Sequence, residues 1–256
     1  MRRHAIRSLA LLAAVAAVAA VAVLPAVAAA QDPSPAEILG RMEKTLNGFT
    51  DQFMSATMTI IDVDGSKKSY DFTTHQKGDK MRLVRFTSGE NKGLATLVEE
   101  RNRVYVYLPG MKKVRRVAAH GMNQSFGGSD FSNDDMAAVS WVAWYDATLL
   151  KADDSHYHLN CTPKAGYDSA YSKAIVKVNR KTFHQDGIEY YNKAGEKVKT
   201  FENGSPKEFA GGLRNSLVVV TDSRSGHKTR LDIHEFKANQ GLPDSMFTQR
   251  ELEWGR

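Results

Sequence analysis

The sequence predicts a mainly β protein built on an antiparallel sheet, and three observations support this fold class. Past residue 50, apolar residues recur at every second position, which is the spacing of strands with one buried face. Turn-forming pairs such as Asp64-Gly65 and Pro109-Gly110 separate these runs at short intervals. About a dozen runs occur and helical patterns are few, which is typical of a meandering sheet, a sandwich or a barrel.

The first thirty residues have the layout of a secretory signal peptide. Arg2, Arg3 and Arg7 form a positive start, Leu9 to Val27 is apolar, and Ala28-Ala29-Ala30 offers small residues for cleavage. The next residue is glutamine and not the cysteine that lipid attachment needs. We therefore expect residues 1–30 to be removed and the mature chain to be exported to the periplasm of a Gram-negative type envelope. The alternative is an uncleaved membrane anchor.

The remaining chain, residues 31–256, is long enough to bury a core as one domain. The full sequence has 35 basic and 29 acidic residues, and three of the basic ones are the leader arginines. A balance this close to neutral gives no reason to expect nucleic acid as a partner. Cys161 is the only cysteine, which excludes an intramolecular disulfide and favours a small buried side chain.

The elements follow in chain order from a helix over 36–46. Ser34 is its expected cap, Pro35 suits its first turn, and Gly48 ends it. Strand patterns cover 54–60, 69–75, 80–86, 93–99, 103–108 and 112–117, with Arg101-Asn102 as a tight connection. Later strand patterns cover 147–152, 157–162, 171–179, 185–192, 197–202, 216–221 and 229–236.

Two segments depart from the strand rhythm. Residues 118–131 are too rich in glycine for a regular element, and a helix start at 132–135 leads into an apolar stretch over 136–144. Residues 242–252 predict a short closing helix with Asp244 as its cap.

Residues suited to catalysis or metal binding are sparse. His156 and His158 share a strand face and can share a metal. No third ligand stands at a spacing typical of a metal site, and the alternative is that both histidines simply face solvent. The sequence over 62–66 resembles part of a calcium loop without its closing glutamate, so a hairpin turn explains it better. Ser129 follows two glycines but has neither a phosphate-loop lysine nor a nucleophile-elbow frame. We expect no enzyme, no cofactor and no metal.

A basic run, Lys112, Lys113, Arg115 and Arg116, lies on a predicted strand with charges on both faces. Two explanations stay open: charges that keep a strand edge soluble, and contact with an anionic head group or a partner.

Residues 57–136 resemble the outer-membrane lipoprotein-sorting (LolA-like) family. The similarity rests on "TMTIIDVDGSKKSYDFTTHQKGDKMRLVRF", "NKGLATLVEERNRVYVYLPGMKKVRRV" and "SFGGSDFSNDDM". Within the family, the sequence looks like a larger branch with a tyrosine-leucine-proline turn (107–109), a basic KKVRR strand (112–116) and an SF-G-SDFS loop (125–132). Over 137–256 the similarity to the family is limited mainly to the spacing of the predicted strands and to the ending "GLPDSMFTQRELE".

The resemblance implies a strongly curved antiparallel sheet, an unclosed half-barrel whose concave side is covered by a few short helices. It also implies a periplasmic carrier that binds acyl chains of a lipid or lipoprotein and moves them between the inner and outer membranes. Members of this branch look like companions of RND-type inner-membrane transporters. The expected partners are therefore acyl chains, such a transporter and an outer-membrane acceptor, and the expected state is a monomer.

A carrier of this kind needs an apolar cavity with a cover, and methionines suit its walls because they repack around varied chains. We expect residues 118–144 to form a movable cover, which we call the cover, with plain core packing as the alternative for each residue. The predicted cavity and cover residues are Met54, Met58, Ile60, Met81, Leu83, Val104, Val106, Leu108, Phe126, Phe131, Met136, Trp141 and Trp144. The rival function is a non-enzymatic adaptor of a transporter.

Overall fold

Strands make up most of the regular structure in the computed structural model of this protein. It describes residues 32–100, 103–137, 140–204 and 206–254. The strands are β1 (Asp51–Ile61), β2 (Lys67–Lys77), β3 (Met81–Phe86), β4 (Ala95–Glu100), β5 (Arg103–Leu108), β6 (Lys113–Arg116), β7 (Tyr145–Ala152), β8 (His156–Pro163), β9 (Lys173–Asn179), β10 (Gln185–Tyr191), β11 (Lys197–Asn203), β12 (Pro206–Phe209), β13 (Gly212–Asn215), β14 (Leu217–Asp222) and β15 (Lys228–Ala238). The α-helices are α1 (Pro35–Asn47), α2 (Asn133–Ala137), α3 (Trp141–Trp144) and α4 (Gln249–Trp254), and two 3-10 helices span Ala119–Gly121 and Asp244–Phe247.

Thirteen strands form one antiparallel sheet in the order β6-β5-β4-β3-β2-β1-β15-β14-β11-β10-β9-β8-β7, and β12 pairs with β13 in a separate hairpin. The two edge strands, β6 and β7, follow each other in the chain but lie at opposite ends of the sheet, which is not closed into a barrel. The chain between them therefore has to cross from one edge to the other. These elements all belong to one compact unit, Pro33–Arg256.

Helix α1 begins and ends where its local chemistry dictates. The hydroxyl of Ser34 accepts a hydrogen bond from the backbone N–H of Glu37 (3.3 Å), and the Glu37 carboxylate accepts one from the backbone N–H of Ser34 (2.8 Å). This reciprocal capping box satisfies donors that the first turn leaves free. Gly48 closes the helix with a hydrogen bond to the carbonyl of Lys44 (2.9 Å).

One face of the sheet runs continuously through the core, and we call it the inner face. Met54, Ala56, Met58 and Ile60 lie on this face of β1. The strand register extends the face, since Met58 of β1 pairs with Leu231 of β15, and Leu231 pairs with Val218 of β14. Side chains pointing the same way on paired strands form one layer, so the inner face reaches across both halves of the sheet.

Separate segments cover the inner face over its two halves. Helix α1 packs Ile38, Leu39 and Met42 against the half formed by β7 to β10. The cover packs Phe126 and Phe131 against the half formed by β1 to β3, β14 and β15. The outer face is covered too, at β3 to β6, where Phe247 and Leu252 pack on it.

Most of the predicted elements are confirmed, with boundaries shifted by at most three residues. The capped first helix and the strands before and after the cover are present. The predicted hairpin turn at 62–66 also forms, since the Gly65 N–H donates to the carbonyl of Asp62 at 2.9 Å. The leader and the Arg101-Asn102 connection lie outside the described residues. None of the helices described in 32–254 is long and apolar enough to cross a membrane.

Three details of the prediction are wrong. The β12–β13 hairpin is not predicted by the sequence, because residues 203–215 are polar and rich in glycine. Asp244 does not cap a helix and instead pairs with Lys77 of β2, while Thr248 caps α4 by accepting a hydrogen bond from the Glu251 N–H (3.2 Å). Lys112 lies before β6 in a left-handed conformation (φ 51°), so it belongs to the turn and not to the strand.

Candidate ligand cavity

A cavity of about 330 Å³ lies between the inner face of the sheet and the segments that cover it. Its sheet side is mainly apolar and is formed by Met54, Met58, Phe72, Val84, Phe201, Val218, Leu231, Ile233 and Phe236. The cover contributes Phe126, Phe131, Met136 and Trp141 from the opposite side. A mainly apolar cavity of this size falls at the lower end of the range for small-molecule sites.

The glycine-rich part of the cover is a tight loop that brings two phenylalanines together. Ser125 and Ser132 form a β-bridge, and the backbone N–H of Phe126 donates to the carbonyl of Phe131 at 2.7 Å. Both side chains are buried: Phe126 stacks on Phe86 with ring centroids 5.4 Å apart, and Phe131 meets Phe201 edge-on at 5.5 Å. Gly127 allows the turn because its backbone adopts a left-handed conformation, which favours glycine. A side chain at this position would also lie 3.2 Å from the Phe86 ring.

Two acidic residues attach the cover to the sheet. Asp130 accepts a hydrogen bond from the Thr229 hydroxyl (2.7 Å) and contacts His227 Nδ1 (2.8 Å), at the start of β15. Asp135 accepts a hydrogen bond from Lys199 Nζ of β11 at 2.6 Å. These contacts place the cover over the cavity at two separate points.

One end of the cavity is polar and contains two arginines. Arg82 of β3 donates from Nη2 to the Gln76 side chain (2.9 Å) and from Nη1 to the carbonyl of Met136 in the cover (2.8 Å). Arg214 of β13 donates to the carbonyl of Leu46 and to the Gln52 side chain. Burial lowers the pKa of both guanidinium groups to about 10, so both remain charged at neutral pH.

The cavity lies where part of the predicted site was expected. Six of the thirteen predicted residues line it, and these are Met54, Met58, Phe126, Phe131, Met136 and Trp141. The structure thus brings these residues together, whereas their contact with a ligand stays a prediction.

The other seven predicted residues lie elsewhere. Met81 and Leu83 are on the outer face, in the cluster of Phe247 and Leu252. Ile60 is inner-face core near Gly128, and Val104 packs with Val98 and Ala137 in a small cluster.

The remaining three lie towards the rims of the structure. Val106 and Leu108 share the face of Val104 near the β6 edge, and Trp144 lines a wider cleft of about 900 Å³ between residues 116–123 and 166–170. Asp79, Lys80, Glu100, Arg116, Asp134 and Asp168 also line this cleft. These charged side chains make the cleft a poorer site for an acyl chain than the smaller cavity.

The basic run lies at the edge of the sheet. Lys113, Arg115 and Arg116 are exposed residues of β6, and Arg115 pairs with Val106 in the register while Arg116 pairs with Tyr105. Both explanations for the run, a solubilised edge and an anionic contact, remain predictions.

The two cavity arginines were not among the residues predicted from the sequence. Arg82 stands between Met81 and Leu83 in an apolar run, and Arg214 belongs to the hairpin that was not predicted. A basic residue inside a strand with apolar neighbours on both sides was an available signal for Arg82. Arg214 has no comparable signal, because its burial depends on contacts with residues more than 160 positions away.

The other residues considered for metal binding or catalysis form contacts within the protein. His156 contacts Asp186 (2.9 Å) and His158 contacts Asp153 (3.1 Å), each through Nε2. Ser129 is buried and donates its hydroxyl to the carbonyl of Phe126 at 2.6 Å. Within the part of the chain that the structure describes, no group of three or more His, Cys, Asp or Glu residues is arranged to hold a metal.

Comparison with known proteins extends the similarity over most of the chain. A family model described as that of an uncharacterized protein matches residues 78–254. A crystal structure of a DUF1329 family protein from Desulfovibrio piger has 26% sequence identity and a TM-score of 0.79, covering 87% of this chain and 100% of that one. No curated protein matches.

Two more distant structures share the fold. A domain proposed to sort outer-membrane lipoproteins, from Vibrio parahaemolyticus, has 20% identity and a TM-score of 0.75, covering 86% of this chain and 98% of that one. A LolA superfamily protein from Nitrosomonas europaea has 22% identity and a TM-score of 0.73, covering 85% of this chain and 99% of that one. The mainly β, unclosed LolA-like fold is therefore confirmed.

Proposed function

This chain belongs to the DUF1329-like family of uncharacterized proteins, and from that premise we propose that it is a non-enzymatic carrier that binds acyl chains of a lipid or lipoprotein. The observation that carries the proposal is the apolar cavity of about 330 Å³ between the inner face and the cover. The names of the two more distant relatives, one a LolA superfamily protein and the other proposed to sort lipoproteins, agree with it.

The walls of the cavity suit a flexible hydrocarbon chain. Met54, Met58 and Met136 contribute unbranched side chains that adjust to chains of different shape. Burying each methylene group gains about 0.8 kcal/mol, so a twelve-carbon chain gains on the order of 10 kcal/mol before costs. Opening the cover and ordering the chain consume part of this gain.

The cover can regulate access to the cavity. It places Phe126 and Phe131 against the apolar part of the cavity. Its attachments at Asp130 and Asp135 are polar contacts that can break without unfolding the sheet. We propose that an acyl chain enters when part of the cover moves outward and takes the place of its aromatic side chains.

Transport between membranes is the second part of the proposal. The leader of residues 1–30 supports export, and we place the working protein in the periplasm. An inner-membrane transporter of the RND type would deliver the ligand, and an outer-membrane acceptor would receive it.

Native mass spectrometry of the gently purified protein, followed by lipid extraction, tests the proposal. We expect a co-purified amphiphile at close to one per protein. A protein that carries no lipid and takes up no fluorescent fatty acid would refute the carrier function.

The rival function, a transporter adaptor, is favoured by one specific observation. Leu149 and Leu150 are exposed on β7, which is an edge strand of the sheet. Exposed apolar residues on an unpaired edge are typical of protein contacts. Substituting both by lysine would abolish binding to a transporter but would leave lipid uptake intact if the adaptor and carrier surfaces are separate.

A further inference from the structure

We propose that the ligand has an anionic head group, a carboxylate or a phosphate, and that Arg82 and Arg214 bind it at the polar end of the cavity. This inference rests on the carrier function proposed above and names the chemical class of its ligand. The charges and hydrogen bonds of the two arginines at that end of the cavity support it.

The two guanidinium groups are connected by neutral amides only. Arg82 contacts Gln76, whose Nε2 donates to Asn47 Oδ1 (2.9 Å), and Gln52 donates to the same oxygen at 3.4 Å. Gln52 in turn accepts a hydrogen bond from Arg214. Amide oxygens satisfy N–H donors but do not neutralise a positive charge.

No carboxylate within the described residues forms an ion pair with either arginine. Asp135 lines the cavity, but Lys199 holds it at 2.6 Å, and the backbone N–H of Ser132 donates to the same oxygen at 2.7 Å. Glu43 contacts this group of amide side chains, since one of its carboxylate oxygens accepts a hydrogen bond from Asn47 Nδ2 (2.9 Å). Its other oxygen accepts one from the backbone N–H of Trp141 (2.7 Å). Two buried positive charges without a counter-ion are costly, and a bound anion would remove that cost.

The two arginines retain different hydrogen-bonding capacity, because Arg82 already donates from Nε and Nη2 to Gln76 and from Nη1 to Met136, whereas Arg214 donates from Nη2 alone. A guanidinium has five N–H donors, and the hydrogen bonds of Arg214 to Leu46 and Gln52 both come from Nη2. Its Nε and Nη1 groups are thus available, and each can donate a single charge-assisted hydrogen bond to a carboxylate or phosphate oxygen. The Arg214 side chain is held in place by the Phe236 ring, whose centroid lies 4.4 Å from the central guanidinium carbon.

A second observation at the same end points to a polar ligand. His184 Nδ1 and Asn215 Oδ1 belong to residues that line the cavity, are buried, and have no hydrogen-bond partner in the described structure. Asn215 Oδ1 accepts hydrogen bonds, and so does His184 Nδ1, since Nε2 of the same ring donates to the Leu213 carbonyl (3.3 Å). Buried polar atoms are almost always satisfied, so this unpaired pair near Arg214 indicates that the ligand also carries a donor, such as a hydroxyl, beside its anionic group. The opposite part of the cavity is formed by methionine, phenylalanine and branched aliphatic side chains. An amphiphile with one charged end matches this distribution.

The test compares the binding of amphiphiles with the same twelve-carbon chain and different heads. Isothermal titration would measure dodecanoate, dodecyl phosphate, neutral monolauroyl glycerol and cationic dodecyltrimethylammonium, with inorganic phosphate and acetate as chain-free anions. We expect the anionic amphiphiles to bind about tenfold or more tightly than the neutral one, the effect of one charge-assisted hydrogen bond. A preference between dodecanoate and dodecyl phosphate would identify the head group.

Variants then assign the effect to the arginines. Arg82→Met and Arg214→Met should each reduce the preference for anionic heads, and Arg214→Lys should restore part of it, because lysine keeps the positive charge but has fewer N–H donors. Arg230→Met is the matched control, since Arg230 is an exposed β15 residue paired with Asp232 (2.6 Å) and should leave the preference unchanged.

The outcomes separate this inference from the carrier function. Equal affinity of the wild type for anionic and neutral amphiphiles would overturn the inference and leave the carrier standing, even if the arginine variants fail to fold. Failure of every amphiphile to bind would overturn the carrier function. Inorganic phosphate that binds as tightly as dodecyl phosphate would also overturn the inference, because the site would then take a free anion and not a lipid head.

Discussion

Lys199 Nζ of β11 lies 2.6 Å from Asp135 Oδ2 of the cover, and both side chains are largely buried, with exposed fractions of 11% and 6%. The backbone N–H of Ser132 and the hydroxyl of Tyr171 also donate to the Asp135 carboxylate, at 2.7 and 3.4 Å. This ion pair joins the segment that covers the cavity to the sheet that forms its floor. Its strength therefore bears both on stability and on how readily the cavity opens.

Replacing Lys199 by methionine should destabilise the protein by about 3–5 kcal/mol, because it leaves a buried carboxylate without its counter-charge. Urea unfolding would measure the loss. The double variant Lys199→Met/Asp135→Asn should recover part of it, since no charge is then stranded. Lys197→Met, on the same strand but in an exposed pair with Glu189, should change stability by less than about 1 kcal/mol. Equal effects at both lysines would show that the buried pair has no special role.

Filling the cavity should block lipid binding without unfolding the protein. Val218 lines the cavity from β14, and its neighbour Val219 lies on the outer face of the same strand. We expect Val218→Trp to abolish uptake of a fluorescent fatty acid and Val219→Trp to preserve it, with thermal unfolding checking that both variants are folded. If uptake survives in Val218→Trp, the acyl chain binds somewhere else, and the wider cleft beside Trp144 would be the next site to test.

Two glycines should respond in opposite directions to alanine. Gly40 lies within α1, and a methyl group added there would meet no atom within 4 Å, so Gly40→Ala should stabilise by about 0.5–1 kcal/mol. A methyl group on Gly211 would lie 2.7 Å from the Ala238 backbone nitrogen, so Gly211→Ala should destabilise by about 1–3 kcal/mol. It should also weaken the binding of anionic ligands, because the displaced hairpin carries Arg214. Thermal unfolding and titration would measure the two effects, and a neutral Gly211→Ala would contradict this packing.

Cys161 should be unreactive in the folded protein. Its side chain is fully buried in the core beneath α1, and burial raises the pKa of its thiol to about 12. Relative to an ordinary thiol, the thiolate at pH 8 is reduced roughly a thousandfold. Alkylation by iodoacetamide should therefore be very slow in buffer and rapid in denaturant, as followed by mass spectrometry. Fast labelling in buffer would mean that the α1 half of the core opens readily.

The faces of the sheet explain which site residues the sequence could identify. Met54 and Met58 alternate with polar residues on β1, so the alternation itself separates the buried face from the exposed one. On β3 the same reasoning fails, because Leu83 and Val84 are neighbours and both are buried. Leu83 packs under the C-terminal segment on the outer face, whereas Val84 faces the cavity. A strand covered on both sides carries no alternation from which its inner face can be read.

The sequence by itself determined the class of fold, the capped first helix, most of the strands and the family resemblance, because these depend on residue spacing and on turns within short stretches of chain. Only the tertiary structure decided which residues meet at the cavity. Arg82 and Arg214 are 132 positions apart in the chain, and they share one polar end only because β3 and the β12–β13 hairpin both approach the end of α1. Contacts between distant segments follow from strand register and packing, and neither is encoded in the local pattern that surrounds each arginine.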